Sequence, residues 1–275
     1  VLTLHATDDT PHPSGIQLAS IRKVLARCDR ILVHKVLDAN RMKDLGLVEN
    51  VTLFPHGVLP MMEAPALRKQ PRTEPFVIGS YGFFLPNKGL PELVEAVSHL
   101  RADGRNVRLR MVNAEYPVGE SRNLIEEVKD QIARADLGGA VEMDTRFLPD
   151  ETALSKLADC DLIVFGYQRS SESASGAVRY GLISGRPVAV TPLEIFSDAA
   201  DYCIQLPGTS PAEMAQGIAD VMDRMRGEDG SDLDANLQDM LGRSRAHFSA
   251  RSYEVLGPRL KGMLTALWDY QQNGL

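Results

Sequence analysis

Cysteine is scarce in this chain, long apolar runs are missing, and no basic cluster occurs; each lack removes a class of protein. Cys28, Cys160 and Cys203 are few, odd in number and far apart, which excludes a disulfide framework and suits the reduced thiols of a cytoplasmic protein. Metal spacing of the CxxC kind is absent as well. Lys and Arg number 30 against 37 Asp and Glu, a net charge of -7, so nucleic acid is not an expected partner. The apolar runs at 162–166 and 187–190 fall far short of the roughly 20 residues that cross a bilayer. Val1-Leu2-Thr3-Leu4 has neither an initiator Met nor a signal-peptide start and reads as a buried strand, so the chain is expected to begin inside a fold.

The composition is that of a globular chain. Its 275 residues, 44% apolar and 24% charged, fit one complete domain and part of a second. Strand-like stretches at 1–4, 30–34 and 51–54 alternate with helix-like ones at 16–28 and 37–45, the βαβα order of a parallel sheet. Pro60, Pro65, Pro71 and Pro75 then interrupt the pattern among Arg68, Lys69 and Arg72, which marks a boundary. Alternation resumes with strands at 76–81, 107–113, 140–143, 162–165, 187–190 and 202–205. Helices are expected between them at 90–103, 121–135, 150–157 and 176–184, then at 211–226. Six strands with crossover helices predict a Rossmann-like sheet. A Gly- and Asp-rich turn at 227–232 and apolar helices to the end complete the chain.

In such a sheet, ligands bind beyond the carboxyl ends of the strands, which directs attention to three loops. The first, Gly79-Ser80-Tyr81-Gly82-Phe83-Phe84-Leu85-Pro86-Asn87-Lys88-Gly89, offers close backbone approach, a helix start and the Lys88 charge, a combination suited to phosphate. A Gly-Pro turn with a solvated lysine explains it equally well. Its spacing is neither a Walker A motif nor GxGxxG, which argues against a nicotinamide enzyme. In the second, Glu172-Ser173-Ala174-Ser175-Gly176-Ala177-Val178-Arg179-Tyr180, Ser175 and Gly176 would present amides to an anion while Glu172 accepts from sugar hydroxyls. A simple capping turn is the alternative. The third is His5-Ala6-Thr7-Asp8-Asp9, where His5 contacts a substrate hydroxyl or merely packs at a strand end, and the aspartates contact ligand or cap a turn.

Taken in order, these segments resemble the retaining glycosyltransferase family 4, whose members have the two-domain GT-B fold. Val51 to Val58, with Phe54-Pro55-His56-Gly57, is similar to the strand that leaves that family's N-terminal domain. The Gly82–Gly89 stretch is similar to its Gly-Arg-x-x-Pro-x-Lys-Gly loop, and Glu172 through Gly185-Arg186-Pro187-Val188 to its Glu-x7-Glu motif and following strand. The loop arginine is Phe83 here, and the second glutamate is Tyr180. The resemblance implies a partial acceptor-side domain at 1–58, a linker at 59–75, a nucleotide-sugar-binding domain at 76–245, and helices at 246–275 packing back on the N-terminal part.

By the same likeness, His5, Lys88 and Glu172 are the catalytic candidates. The donor would be held by Gly82, Phe83, Lys88, Arg146, Phe147, Glu172, Ser173, Ser175, Gly176, Ala177, Arg179 and Tyr180. Lys88 would offset the diphosphate, Arg179 or Arg169 would replace the missing arginine, Tyr180 would lie near the ribose, and Thr145, Arg146 and Phe147 would flank the base. No metal and no separate cofactor is implied; the donor, by a weaker likeness to bacterial surface-polysaccharide mannosyltransferases, is GDP-mannose. The acceptor is a glycan or lipid-linked glycan, which leaves peripheral membrane association open. The alternative is a non-catalytic module that keeps the fold.

Overall fold

The computed structural model describes residues 1–7, 17–63, 74–226 and 235–273. Asp8, Asp9, the prolines and basic residues between 65 and 72, and the 227–232 turn therefore lie outside the described residues. The chain divides into two compact units. One comprises Val1–Pro60, Ser171–Gly176 and Ser249–Leu275; the other comprises Met61–Ser170 and Ala177–Phe248. The short Ser171–Gly176 segment thus belongs with the first unit although both of its neighbours in sequence belong to the second.

The first unit is built on a three-stranded parallel sheet, β1 (Leu2–Thr3), β2 (Ile31–Val33) and β3 (Val51–Leu53), in that order. Helix α1 (Arg22–Leu25) and helix α2 (Val36–Asp44) connect the strands. The long helix expected over 16–28 is instead a 3₁₀ turn, Leu18–Ile21, followed by a single α-turn. Leu18, Ile21, Leu25 and Cys28 still pack on the small core while Val24 is 65% exposed, so the apolar face is kept although the helix is broken into two short turns. Helix α2 starts at Val36, one residue before the expected position, with Asp38 reaching back from the third position to accept the Lys35 amide at 3.1 Å, half of a capping box. The unit is completed by the last helix, Tyr253–Asn273. A parallel bridge pairs Val58 with Ser252 just before it, and the Tyr253 amide donates to the Val58 carbonyl at 2.8 Å.

The second unit is a doubly wound parallel sheet. Strands β4 (Phe76–Phe84), β5 (Val107–Glu115), β6 (Val141–Asp144), β7 (Leu162–Phe165), β8 (Val188–Val190) and β9 (Ile204–Gln205) stand in the order β6-β5-β4-β7-β8-β9. The central β7 is buried at every position, as strands covered by helices on both faces must be. Nearer the edge, β5 alternates, and its Arg110 pairs across to the directly opposite Glu142 of β6 at 3.0 Å. Helices α3 (Leu90–Ala102), α4 (Gly119–Arg134), α5 (Asp150–Ala158), α6 (Gly176–Ile183) and α7 (Pro211–Arg226) cross between strands or cover them, and α8 (Ala235–Ser249) follows. Leu93, Val94 and Val97 of α3 and Met214, Ile218 and Met222 of α7 share one core with Ile78, Leu109 and Val164 of the sheet.

Several boundaries differ from expectation by one to three residues, two of them with consequences for the sheet. The glycine-rich loop does not begin at Gly79: β4 runs on to Phe84, paired residue for residue with β5 as far as Glu115. Tyr81, Phe83 and Phe84 favour strand, β5 supplies a partner throughout, and Gly82 (φ 131°) takes the one backbone conformation that a side chain would resist. At the other edge, Ala200–Tyr202 is a 3₁₀ turn and β9 starts only at Ile204.

Candidate functional site

Strand order reverses between β4 and β7, so the carboxyl ends of these two strands form the switch point where open α/β sheets bind ligands. The chain leaves β4 through Leu85-Pro86-Asn87-Lys88-Gly89 and enters α3. Asn87 (φ 65°) and Gly89 (φ 73°) both adopt the left-handed conformation, and they set Lys88 between them. Glycine at position 89 is required twice over, because a Cβ there would also overlap the Gly166 carbonyl at the end of β7. The two loops are laced together by the Gln168 amide donating to the Asn87 carbonyl and by Arg169 Nε donating to Asn87 Oδ1, both at 2.9 Å. Arg169 is thus engaged on the lysine loop itself.

Lys88 is half-buried and lies over the Tyr167 ring, its Nζ 4.1 Å from the centroid, a cation–π contact. Beneath it, Ser80 donates to Asn113 at 2.6 Å, both side chains being buried. Together with Tyr81, Phe83, Leu90, Val164 and Phe165 they line a hollow of about 10 Å³, room for about one water. A wider hollow of about 350 Å³ opens at the amino ends of β4 and β5, around Val77, Arg108 and Arg110; that is the wrong end of the sheet for ligand binding.

The remaining candidates of the second unit fall into two groups. Phe83 stacks against Phe147 with ring centroids 6.0 Å apart and meets Tyr116 edge-on at 5.0 Å. Phe83 lies at the carboxyl end of β4, while Tyr116 and Phe147 follow β5 and β6, and Phe147 is 78% exposed. Thr145 precedes them, and Arg146 forks onto Asp144 with two bonds of 2.8 Å. Tyr180, on α6, stacks on Tyr81 at 4.5 Å and donates to Asp150 Oδ1 at 2.8 Å. Burial, then the bond to Asp150, pushes the Tyr180 phenol well above its ordinary value, and burial pushes Tyr81 up to about 12; both are neutral hydrogen-bonding groups at physiological pH. Ala177, also on α6, lies beside Gly82, where an added Cβ would touch its methyl at 3.5 Å.

Arg179 is buried and ion-paired with Asp198. Its charge is therefore offset inside the protein, and the expectation that it stands ready as a replacement cation for a diphosphate has no exposed guanidinium behind it.

The other sequence-derived candidates sit in the first unit. Ser173 donates its amide to the His5 carbonyl at 2.9 Å and its hydroxyl to Asp38 Oδ1 at 2.8 Å. Thr7 donates to the same oxygen at 2.6 Å, and Arg41 lies 4.0 Å from it. Asp38, fully buried, thereby fixes the Glu172–Gly176 segment against the loop that follows β1. Glu172 and Gly176 are exposed, while Ser173 and Ser175 are buried. Sequence reasoning passed over Asp38; its signal was an acidic residue three positions into a helix. His5 lies beside His34 and His56, with ring centroids 4.9 Å and 5.9 Å away. Spacing could not reveal this trio, because each histidine follows a different strand.

No protein-family model and no curated protein sequence matches the chain. Solved structures do match in fold. The Anabaena protein HepE, in complex with UDP and glucose, superposes with a TM-score of 0.71 at 16% identity, over 96% of this chain and 71% of that one. An α,α-trehalose-phosphate synthase (UDP-forming) from Burkholderia vietnamiensis gives 0.75 at 13%, over 98% and 67%. Sucrose-phosphate synthase from Thermosynechococcus elongatus gives 0.73 at 15%, over 97% and 67%. The fold class is therefore that of the GT-B glycosyltransferases, α/β with Rossmann-like parallel sheets. Among the described residues no helix is long and apolar enough to cross a membrane.

Proposed function

We propose that this chain is the donor-binding part, with a portion of the acceptor side, of a retaining glycosyltransferase that moves a hexose from a nucleotide-diphosphate sugar to a glycan. The observation that carries the reading is Lys88, held by two left-handed residues at the start of α3 and at the switch point of the six-stranded sheet. A diphosphate there gains the lysine charge and the unpaired amides of the first helical turn. As the glycosidic bond breaks, negative charge grows on that diphosphate, and a fixed cation with helix-start dipoles stabilises the change without a metal. Glu172 receives hydroxyls of the transferred sugar, Ser173, Ser175 and Gly176 shape its surroundings, and His5 serves the acceptor side. The acceptor hydroxyl attacks from the face the diphosphate leaves, which preserves the anomeric configuration.

Phe83 and Phe147 make an exposed stacking platform suited to a nucleobase, with Thr145 and Arg146 beside it, and Tyr180 offers its phenol to the ribose. For the donor we propose GDP-mannose. The neighbour HepE holds UDP and glucose, so UDP-glucose is the competitor to test against. A thermal-shift panel of GDP-, UDP- and ADP-sugars decides: at 100 times its dissociation constant the true donor raises stability by about 2.7 kcal/mol. Lys88→Ala should weaken it about tenfold or more, the worth of a charged hydrogen bond. EDTA should leave donor binding unchanged. Absence of a shift with any nucleotide sugar overturns the reading.

A second reading, a module that binds nucleotide sugar without transferring it, draws on two observations. Phe83 fills the place of the family's arginine with a stacked ring, and Tyr180, in place of its glutamate, is bonded to Asp150. Saturable donor binding with neither transfer nor hydrolysis, read as no free nucleoside diphosphate formed, would favour it.

A further inference from the structure

We propose that His5, His34 and His56 form a binding site for one divalent ion of the zinc class. The three side chains come together because they follow three neighbouring strands of one parallel sheet. His5 lies two residues beyond β1, His34 one beyond β2, and His56 three beyond β3. Parallel strands place their carboxyl ends along one edge, so three loops far apart in sequence deliver three imidazoles to one spot. Ring centroids are 4.7 to 5.9 Å apart, and one ligand atom from each residue lies within 4.8 Å of the others. It is the one such group of His, Cys, Asp or Glu found among the described residues.

The hydrogen bonds behind the rings orient them for coordination. His34 Nδ1 faces the Phe54 carbonyl at 3.1 Å, and His56 Nδ1 faces the Gly57 carbonyl at 3.4 Å. A carbonyl only accepts, so each Nδ1 carries the proton and each Nε2 presents a lone pair. Donation of the second ring nitrogen to backbone carbonyl is the support that metal-ligating histidines use. His34 Nε2 then lies 3.2 Å from His5 Nδ1. Two nitrogens bound at about 2.05 Å to a tetrahedral ion are about 3.3 Å apart, so this pair already stands at ligand spacing. The third needs a side-chain adjustment of an ångström or so. His5 is exposed and the other two are half-buried, which gives an ion a way in.

Ligand chemistry sets the ion. Three imidazoles, with no carboxylate grouped with them among the described residues, suit zinc, copper or nickel better than magnesium and calcium, which require oxygen ligands. Three protein nitrogens leave the fourth tetrahedral position to water or to an oxygen of a bound molecule. The ion would also join the ends of three very short strands in the unit with the smaller core. No step of the proposed sugar transfer passes through it.

The test uses the full chain, stripped with EDTA and titrated with Zn(II) by calorimetry, with Co(II) as a spectroscopic substitute. No nucleotide sugar is present, so the outcome is independent of the donor reading. One ion per chain with saturable binding, and the visible bands of tetrahedral Co(II), are expected. His34→Ala and His56→Ala should each weaken binding at least tenfold, while His99→Ala, on α3, leaves it unchanged. His56→Gln keeps a polar side chain of similar reach and is measured alongside. Lost binding in a variant whose metal-free melting matches the metal-free wild type supports the site. Binding without saturation, or undiminished in the His34→Ala/His56→Gln double variant, overturns it.

Discussion

The two units make a sheet of the same kind, parallel and with helical connections, but they stabilise it differently. In the second unit a core of 27 buried apolar residues runs from Phe76 to Leu237, strands reach nine residues, and β7 is enclosed at every position. Among the described residues, the first unit's core cluster is Leu25, Ile31, Val33, Met42 and Leu47, and its strands are two or three residues long. It compensates with polar connections: the buried Asp38 accepting from Thr7, Ser173 and the Lys35 amide, and the cluster of histidines at the strand ends. Apolar burial scales with the size of a core; a small sheet must be closed by specific bonds. Each unit is therefore vulnerable to a different kind of substitution.

The largest effect belongs to the large core. Leu93→Ala removes a fully buried side chain from the face of α3 shared with α7 and the sheet, and should cost about 2–5 kcal/mol, read as a lower urea midpoint for the main transition. Met42→Ala, equally buried in the small core, should chiefly speed hydrogen exchange in β2 and β3 and leave exchange in β4 and β5 protected. Equal acceleration throughout both sheets by either variant would abolish the contrast between the units.

Next comes the polar closure. Asp38→Ala leaves the Thr7 and Ser173 hydroxyls and the Lys35 amide without their acceptor in a buried place. Desolvated donors of this kind cost about 1–3 kcal/mol each and do not add independently, so about 2–3 kcal/mol is expected, again seen as exchange confined to the first unit. Asp38→Asn, which keeps one acceptor oxygen, should recover part of the loss. A neutral Asp38→Ala would mean that this network does not hold the unit together.

How legible all this was depended on the range of the cause. Periodicity gave β7 and α7 their observed bounds, since an enclosed apolar run and an amphipathic helix each carry their pattern locally. It ended β4 at 81, three residues early, because the continuation depends on pairing with β5, a partner 31 positions away at Phe84 and Glu115. It could not tell that Arg179 was already matched, because Asp198 comes from a loop beyond β8. The histidine trio and the Asp38 network are contacts between separate loops, and the position of Ser171–Gly176 in the first unit is likewise set by tertiary contacts. The Lys88 loop was legible because glycine, proline and a helix start are adjacent in sequence. Its left-handed Asn87 and Gly89 explain why those residue types stand there.

Smaller effects distinguish buried from accessible groups. Cys160 and Cys203 are buried in the second unit, and burial pushes both thiols up to about 12. They should resist alkylation at pH 8 until the protein unfolds, since the thiolate is the reacting form. Half-buried Cys28 of the first unit should be modified first. Mass spectrometry of the native and urea-treated chain reads the order, and early modification of Cys160 would show that the larger unit opens more readily than its core implies.

The smallest expected effect tests whether charge matters to the large unit at all. Asp144 is held well below the usual carboxylate range, first by its bonds from Arg146, against the opposing effect of burial, with Lys156 adding at 3.3 Å. A depressed folded-state pKa gives stability that is complete above the unfolded value, about pH 3.9, and that fades as pH falls through the folded value. Wild type should therefore exceed Asp144→Asn in melting temperature at neutral pH, and the gap should close in acid. Because Arg146 is 75% exposed, solvent screens the pair, and the gap should be well below that of Leu93→Ala and shrink further in high salt. A gap that stays constant from pH 7 down to about pH 2 would assign the loss to packing instead, and this ion pair would then have no measurable part in the stability of the larger unit.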